Sequence, residues 1–214
     1  MVNIEKFIQK LKQQNSPQSE FVKYMEQNTS PFLVLISCIL SLRTKDETTY
    51  PATMRMLKLG RTPQDFLNVT EEELSQAIYP VGFYKTKAKQ ILTISKLLIE
   101  NYQGKVPTTI EELVTFKGVG RKTANLTLAK GYQIPAICVD VHVHRICNRW
   151  GYVDTQTPEE TEQALRQKLP QKYWLEFNTL LVTHGQNICK PINPKCLDCP
   201  LQKECNHTQK KKVS

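Results

Sequence analysis

No apolar run in this sequence is long enough to cross a bilayer. The longest, PFLVLISCILSL from Pro31 to Leu42, falls well short of the roughly 20 residues a spanning helix needs and reads as a buried core helix. The opening stretch, MVNIEKFIQKLKQQNSPQSE, lacks the apolar core of a secretory signal and is polar and amphipathic. Convincing period-two alternation is missing, which argues against half-buried strands. There is no obvious internal repeat, and the only low-complexity run is the lysine triplet 210–212. An even, well-spread set of cysteines is also absent: there are seven, and four crowd the last 26 residues. That distribution counts against a secreted disulfide framework and for a cofactor in a reducing compartment. These absences lead us to expect a soluble, intracellular protein with no membrane partner.

What is present begins with charge. A formal net charge of +9 on 214 residues is unusual, whereas 40% apolar and 23% charged residues are ordinary for a globular protein. Charge of this sign favours nucleic acid or an anionic membrane. The length suffices for one or two domains with a real core.

Helix signals dominate. Ser30-Pro31 supplies a cap and a first-turn proline for the apolar run. Thr70 to Glu73, Thr109 to Glu112 and Thr157 to Glu160 have capping-box spacing. Ala88, Ile91, Leu92, Ser95, Leu98, Ile99 and Tyr102 line one face of a helix over about 85–102. Tyr173, Trp174, Phe177, Leu180, Leu181 and His184 line another, and core packing is the simplest account of both stripes. The chain reads as all-α.

The stretch FKGVGRKTANL, Phe116 to Leu126, interrupts this pattern. It superficially resembles a phosphate loop of a nucleotide hydrolase, but the two glycines are too close, Arg121 separates Gly120 from Lys122, and a capped helix precedes it rather than a strand. Helix, glycine turn and helix is the better parse. Two glycines permit positive φ and close approach by another chain, and the unpaired N–H groups opening the next helix favour an anion. Without a nucleotide fold, the expected anion is a nucleic-acid phosphate, which places Gly118, Gly120 and Arg121 at the interface.

Cys189, Cys196, Cys199 and Cys205 read C-x6-C-x2-C-x5-C. Four thiols so close together call for a multivalent metal centre. Zinc favours two pairs with short gaps, and only one gap here qualifies. Cys38, Cys138 and Cys147 lie in apolar surroundings and read as inert core thiols. Asp140, His142 and His144 form D-x-H-x-H, but residues two apart on a helix point to different faces, so a metal there is disfavoured.

KGVGRKTAN, VDVHVHRICNR and the terminal cysteines, in that order, resemble the endonuclease III family of base-excision DNA glycosylases in the helix–hairpin–helix superfamily. The resemblance runs over about 32–205. It implies an all-α fold of two helical lobes with a DNA-binding cleft between them: a contiguous helical domain, 20–131, containing the helix–hairpin–helix, and a cluster domain of 1–19 plus 132–214. It makes Lys122 the amine nucleophile and Asp140 the essential carboxylate, a role compatible with helix capping. It names the centre on the four cysteines as a [4Fe–4S] cluster. VGFYKTKAKQI, Val81 to Ile91, is similar to the family's wedge loop, with Phe83 inserting, Tyr84 lining the pocket, and Lys85 and Lys87 holding phosphates; core packing is the alternative for Phe83 and Tyr84. Lys190 and Lys195 belong to a basic cluster loop that meets the backbone.

The chain departs from the family in three places. Phe116-Lys117 stands where Leu-Pro is usual, Val141 where a threonine follows the aspartate, and Arg43 where a glutamine probes the opposite strand. Arginine's fork suits guanine, so a bias towards lesions opposite G is expected. The implied activity is a bifunctional glycosylase and abasic-site lyase acting on oxidised pyrimidines in double-stranded DNA, as a monomer in the cytoplasm and nucleoid. The alternatives are a monofunctional adenine or thymine mismatch glycosylase, which typically lacks the lysine, and a non-catalytic DNA-binding or redox iron–sulfur protein.

Overall fold

The computed structural model describes residues 3–14, 16–28 and 30–210, the last without its side chain. Lys211 and Lys212 of the basic tail lie outside the described residues. In chain order the helices are α1 (Ile4–Gln13), α2 (Glu20–Gln27), α3 (Pro31–Ser41), α4 (Asp46–Met56), α5 (Pro63–Phe66), α6 (Glu71–Ile78) and α7 (Tyr84–Tyr102). They continue as α8 (Ile110–Leu113), α9 (Arg121–Leu126), α10 (Val141–Trp150), α11 (Pro158–Lys168), α12 (Trp174–Asn187) and α13 (Asn206–Lys210). About 65% of the chain is helical and the described residues form no strand, as the missing alternation led us to expect. No helix of the described residues is long and apolar enough to cross a membrane.

Contacts divide the chain into two units: Ser19–Ala136, and Met1–Gln18 joined with Ile137–Ser214. In the first, α3 is the central helix. Ser30 accepts from Leu33 N, Pro31 occupies the first turn, and every residue from Phe32 to Leu40 is buried. A helix apolar all round must be covered on every side. Helices α4, α7 and α9 provide that cover, together with the Thr127–Gly131 segment, where the helix beginning at α9 widens to π geometry. A Cβ on Gly131 would lie 2.6 Å from Pro31 Cα, so only glycine lets these two helix ends meet.

The second unit draws on both ends of the sequence. Phe7 of α1 stacks on Trp150 with ring centroids 3.3 Å apart, and Trp150 stacks in turn on Tyr152 at 5.3 Å. Ile8 and Leu11 join Val143, Ile146, Leu165, Phe177, Leu181 and Leu201 in one core, against which Cys189, Cys199 and Cys205 also pack. Helices α10 and α12 run close at Gly185, where a Cβ would sit 2.4 Å from His142 Nδ1.

Candidate active site and nucleic-acid interface

The hairpin before Lys122 is held from beneath. Phe116 is buried and meets Tyr102 edge-on at 5.7 Å, so the phenylalanine that replaces the usual leucine anchors the turn on α7. Gln90 Nε2 donates to Lys117 O at 2.6 Å. Gly118 has φ +82, a conformation that favours glycine, and Gly120 caps α9 with open space where a Cβ would point. Arg121 and Lys122 are exposed in the first turn of α9, while Thr123, Ala124 and Asn125 are buried beneath them. The Lys122 charge reaches Cys38 on α3. Burial pushes that thiol up to about 12, which keeps it protonated and inert.

Asp140 is 9% exposed and caps α10: its Oδ1 accepts from His142 N and Val143 N, both at 2.9 Å. The two histidines that follow have protein partners. His144 Nδ1 lies 2.7 Å from Thr161 Oγ1, and His142 Nδ1 lies 3.1 Å from Arg145 Nη2. They face different neighbours, as their spacing on a helix requires.

Two loops of the first unit meet beside α7. Phe83 is 59% exposed, which removes core packing as its role, and Tyr84 contacts Tyr79 edge-on at 5.3 Å. The Arg43 guanidinium lies 4.9 Å from the Phe83 ring centroid. Both residues are left-handed, with φ of +55 and +60. Non-glycine residues held there cost about 1–3 kcal/mol each. An exposed cation–π contact returns only about 0.5–1 kcal/mol, so something else must hold the pair.

Lys87 supplies the hold, and this corrects its expected role. It is 5% exposed, and its ammonium donates to Leu40 O at 2.8 Å, Leu42 O at 2.5 Å and Thr44 Oγ1 at 3.3 Å. A group enclosed in this way does not meet a phosphate. It satisfies the carbonyls that α3 leaves open at its C-terminus. Burial lowers its pKa to about 8. Lys85, by contrast, is exposed.

The cysteine segment follows α12 and turns through two short 3-10 helices, Cys196–Asp198 and Gln202–Glu204. Arginines grip its start: Arg145 donates to Cys189 O through Nε at 3.1 Å and Nη2 at 2.8 Å. Arg149 donates to Lys190 O and Pro191 O, each at 2.7 Å, and to Cys189 Sγ at 3.6 Å. These residues escaped sequence reading, although Arg145 and Arg149 lie one helical turn apart within a motif already singled out. His184 was read only as part of a core stripe. Its Nε2 lies 3.7 Å from Cys199 Sγ, and its Nδ1 donates to Gln14 Oε1 at 2.7 Å. Burial, reinforced by Arg145, pushes its pKa down to about 4 and keeps it neutral.

Cys189, Cys196, Cys199 and Cys205 are all partly buried, free thiols, a donor set chemically suited to a metal centre. Burial raises the Cys199 thiol to about 11, and the other three cysteines act on it electrostatically. Backbone N–H groups of Leu201, for Cys199, and of His207 and Thr208, for Cys205, oppose the upward push of burial on these thiols. Among the described residues, no three His, Cys, Asp or Glu side chains close around one ion. Lys190 and Lys195 are exposed on this loop.

A hairpin of this form, placed ahead of a capping aspartate in an all-α chain, defines a class. The pattern of the HhH-GPD superfamily base excision DNA repair proteins matches residues 36–171, and the chain belongs to that superfamily. Within it, endonuclease III of Thermotoga maritima is 48% identical over 189 residues, 87% of this chain and 89% of that protein. A solved non-covalent endonuclease III–DNA complex matches with a TM-score of 0.83 at 31% identity, covering 100% of both chains. A trapped endonuclease III–DNA covalent intermediate, an estranged-adenine complex, also matches at 0.83, with 32% identity and 99% and 100% coverage.

Proposed function

We propose that this protein is a bifunctional DNA glycosylase and abasic-site lyase that removes oxidised pyrimidines from double-stranded DNA. The observation that carries the reading is Lys122, an exposed amine directly behind a glycine turn, in a chain 32% identical to an endonuclease III trapped covalently on DNA. A covalent intermediate needs a nucleophile, and an amine can both displace the base and hold the sugar. Lys122 Nζ, once deprotonated, attacks C1′ as the bond to the base breaks and the electron pair leaves with the base. The nitrogen lone pair then expels O4′, which takes up a proton, and this ring opening leaves a protonated Schiff base. Its positive charge acidifies C2′; loss of that proton expels the 3′ phosphate by β-elimination, and hydrolysis returns the amine.

Asp140, rigid because one oxygen is spent on the helix cap, is the carboxylate proposed to balance positive charge at the sugar and to pass protons. Gly118, Gly120 and Arg121 present backbone and cationic donors to a phosphate. Phe83 and Tyr84 are proposed to meet the unstacked site, with Arg43 reading the opposite base and Lys85, Lys190 and Lys195 on the backbone. The four cysteines are proposed to hold a [4Fe–4S] cluster, which gives the basic loop its shape and takes no part in bond breaking.

Borohydride trapping tests this. The expected result is a covalent adduct with a duplex carrying an oxidised pyrimidine or an abasic site, absent in Lys122→Ala. No adduct with any such duplex overturns the lyase reading and favours a monofunctional or non-catalytic protein.

A further inference from the structure

Lys87 is a buried cation held by two backbone carbonyls and a hydroxyl, and lysine is rarely buried without a paired charge. All three of its acceptors lie within 40–44, the segment that carries Arg43. Thr44 Oγ1, one of them, also accepts from Gly82 N at 3.2 Å, next to Phe83. A Cβ on Gly82 would meet Arg43 O at 3.1 Å, so the two loops are already in close contact there. The ammonium and the threonine hydroxyl thus tie together the backbones that present Arg43 and Phe83. Both of those residues are left-handed and exposed, and their side chains touch.

We infer that Lys87 is a positioning residue that locks Arg43 and Phe83 into one two-part wedge, so that guanidinium and ring enter the DNA stack together. The proposal rests on the glycosylase reading for its biological context, but its test does not require turnover. If Lys87 were only a packing residue, its loss would lower stability and weaken all DNA contacts alike. A positioning role predicts that binding survives better than insertion does.

The full-length protein is titrated onto a duplex with a non-cleavable tetrahydrofuran site and 2-aminopurine on the opposite strand. Wild type is expected to change the fluorescence strongly at saturation. Lys87→Met keeps the stem but removes the three bonds. It is expected to cut the saturating change at least fivefold while Kd rises less than threefold and the circular dichroism spectrum holds. Thr44→Val removes only the hydroxyl link and is expected to cut the change about twofold, which keeps the test decisive if Lys87→Met does not fold. A full fluorescence change in Thr44→Val together with one in any folded Lys87→Met protein overturns the proposal, as does loss of affinity in step with loss of signal. So does wild-type binding without a fluorescence change. Failure of borohydride trapping with the fluorescence pattern intact removes the lyase reading and leaves this one standing.

Discussion

Gln90 Nε2 donates to the carbonyl oxygen of Lys117, 27 residues later in the chain, at 2.6 Å. The bond falls where proline usually stiffens the hairpin, and it restrains the same backbone from outside. Gly118, next in the chain, has φ +82, and a Cβ there would lie 2.1 Å from the same Gln90 nitrogen. Gly118→Ala is therefore expected to cost about 1–2 kcal/mol through the left-handed backbone and to displace Gln90 as well. Gln90→Leu is expected to cost about 1 kcal/mol for the lost bond. Both should weaken binding to an abasic-analogue duplex, measured by fluorescence anisotropy, with Gly118→Ala the more severe.

Asp140 combines two roles that substitution can separate. Asparagine caps helices as well as aspartate does, whereas alanine forfeits about 1 kcal/mol. Asp140→Asn is expected to hold its urea midpoint close to wild type while single-turnover base release falls at least a hundredfold. Asp140→Ala should lose both. Wild-type turnover in Asp140→Asn would confine the residue to capping.

Arg149 ties the cysteine loop to α10 through two carbonyls and the Cys189 sulfur. Arg149→Met is expected to cost about 1 kcal/mol, since water can replace the guanidinium at the exposed carbonyls. In protein carrying the proposed [4Fe–4S] cluster, its absorbance should bleach severalfold faster in air than in wild type. Equal bleaching rates would show that the arginine has no part in holding the cluster loop.

Two exposed carboxylates of the first unit contribute to acid sensitivity. Hydrogen bonds from Arg61 N and Thr62 N hold Asp65 below its usual 3.8, and those from the Thr70 hydroxyl and N–H hold Glu73 below its usual 4.5. A depressed folded pKa gives stability that is fully present above the ordinary value and lost as pH falls through the folded one. Replacing both, Asp65→Asn with Glu73→Gln, should therefore flatten the fall of the urea midpoint between about pH 5 and about pH 3. An unchanged slope would show that other carboxylates dominate.

Local signals were legible wherever the physics is local. Ser30, Thr70, Thr109 and Thr157 all cap the helices assigned to them. The reciprocal half of the box forms at Thr70, but Glu160 turns to Gln156 N and Glu112 to the Thr109 hydroxyl. Long-range partners were not legible. Lys87 looks from its spacing like a second exposed cation beside Lys85, and only the carbonyls more than 40 residues earlier reveal it as buried. Phe83 could have been core or surface until its left-handed cap position on α7 was known. The arginines behind the cysteine loop act across some 40 residues, beyond the reach of any spacing rule.

The stack of Phe7 on Trp150 also bears on how the molecule is made. Among the described residues, Phe7, Ile8 and Leu11 of α1 share their core with residues that leave the ribosome more than a hundred positions later. The segment 19–136 can complete its own core in the meantime, with Phe7, Ile8 and Leu11 left waiting. The core that α1 shares with the residues from Ile137 onward is thus the last to close.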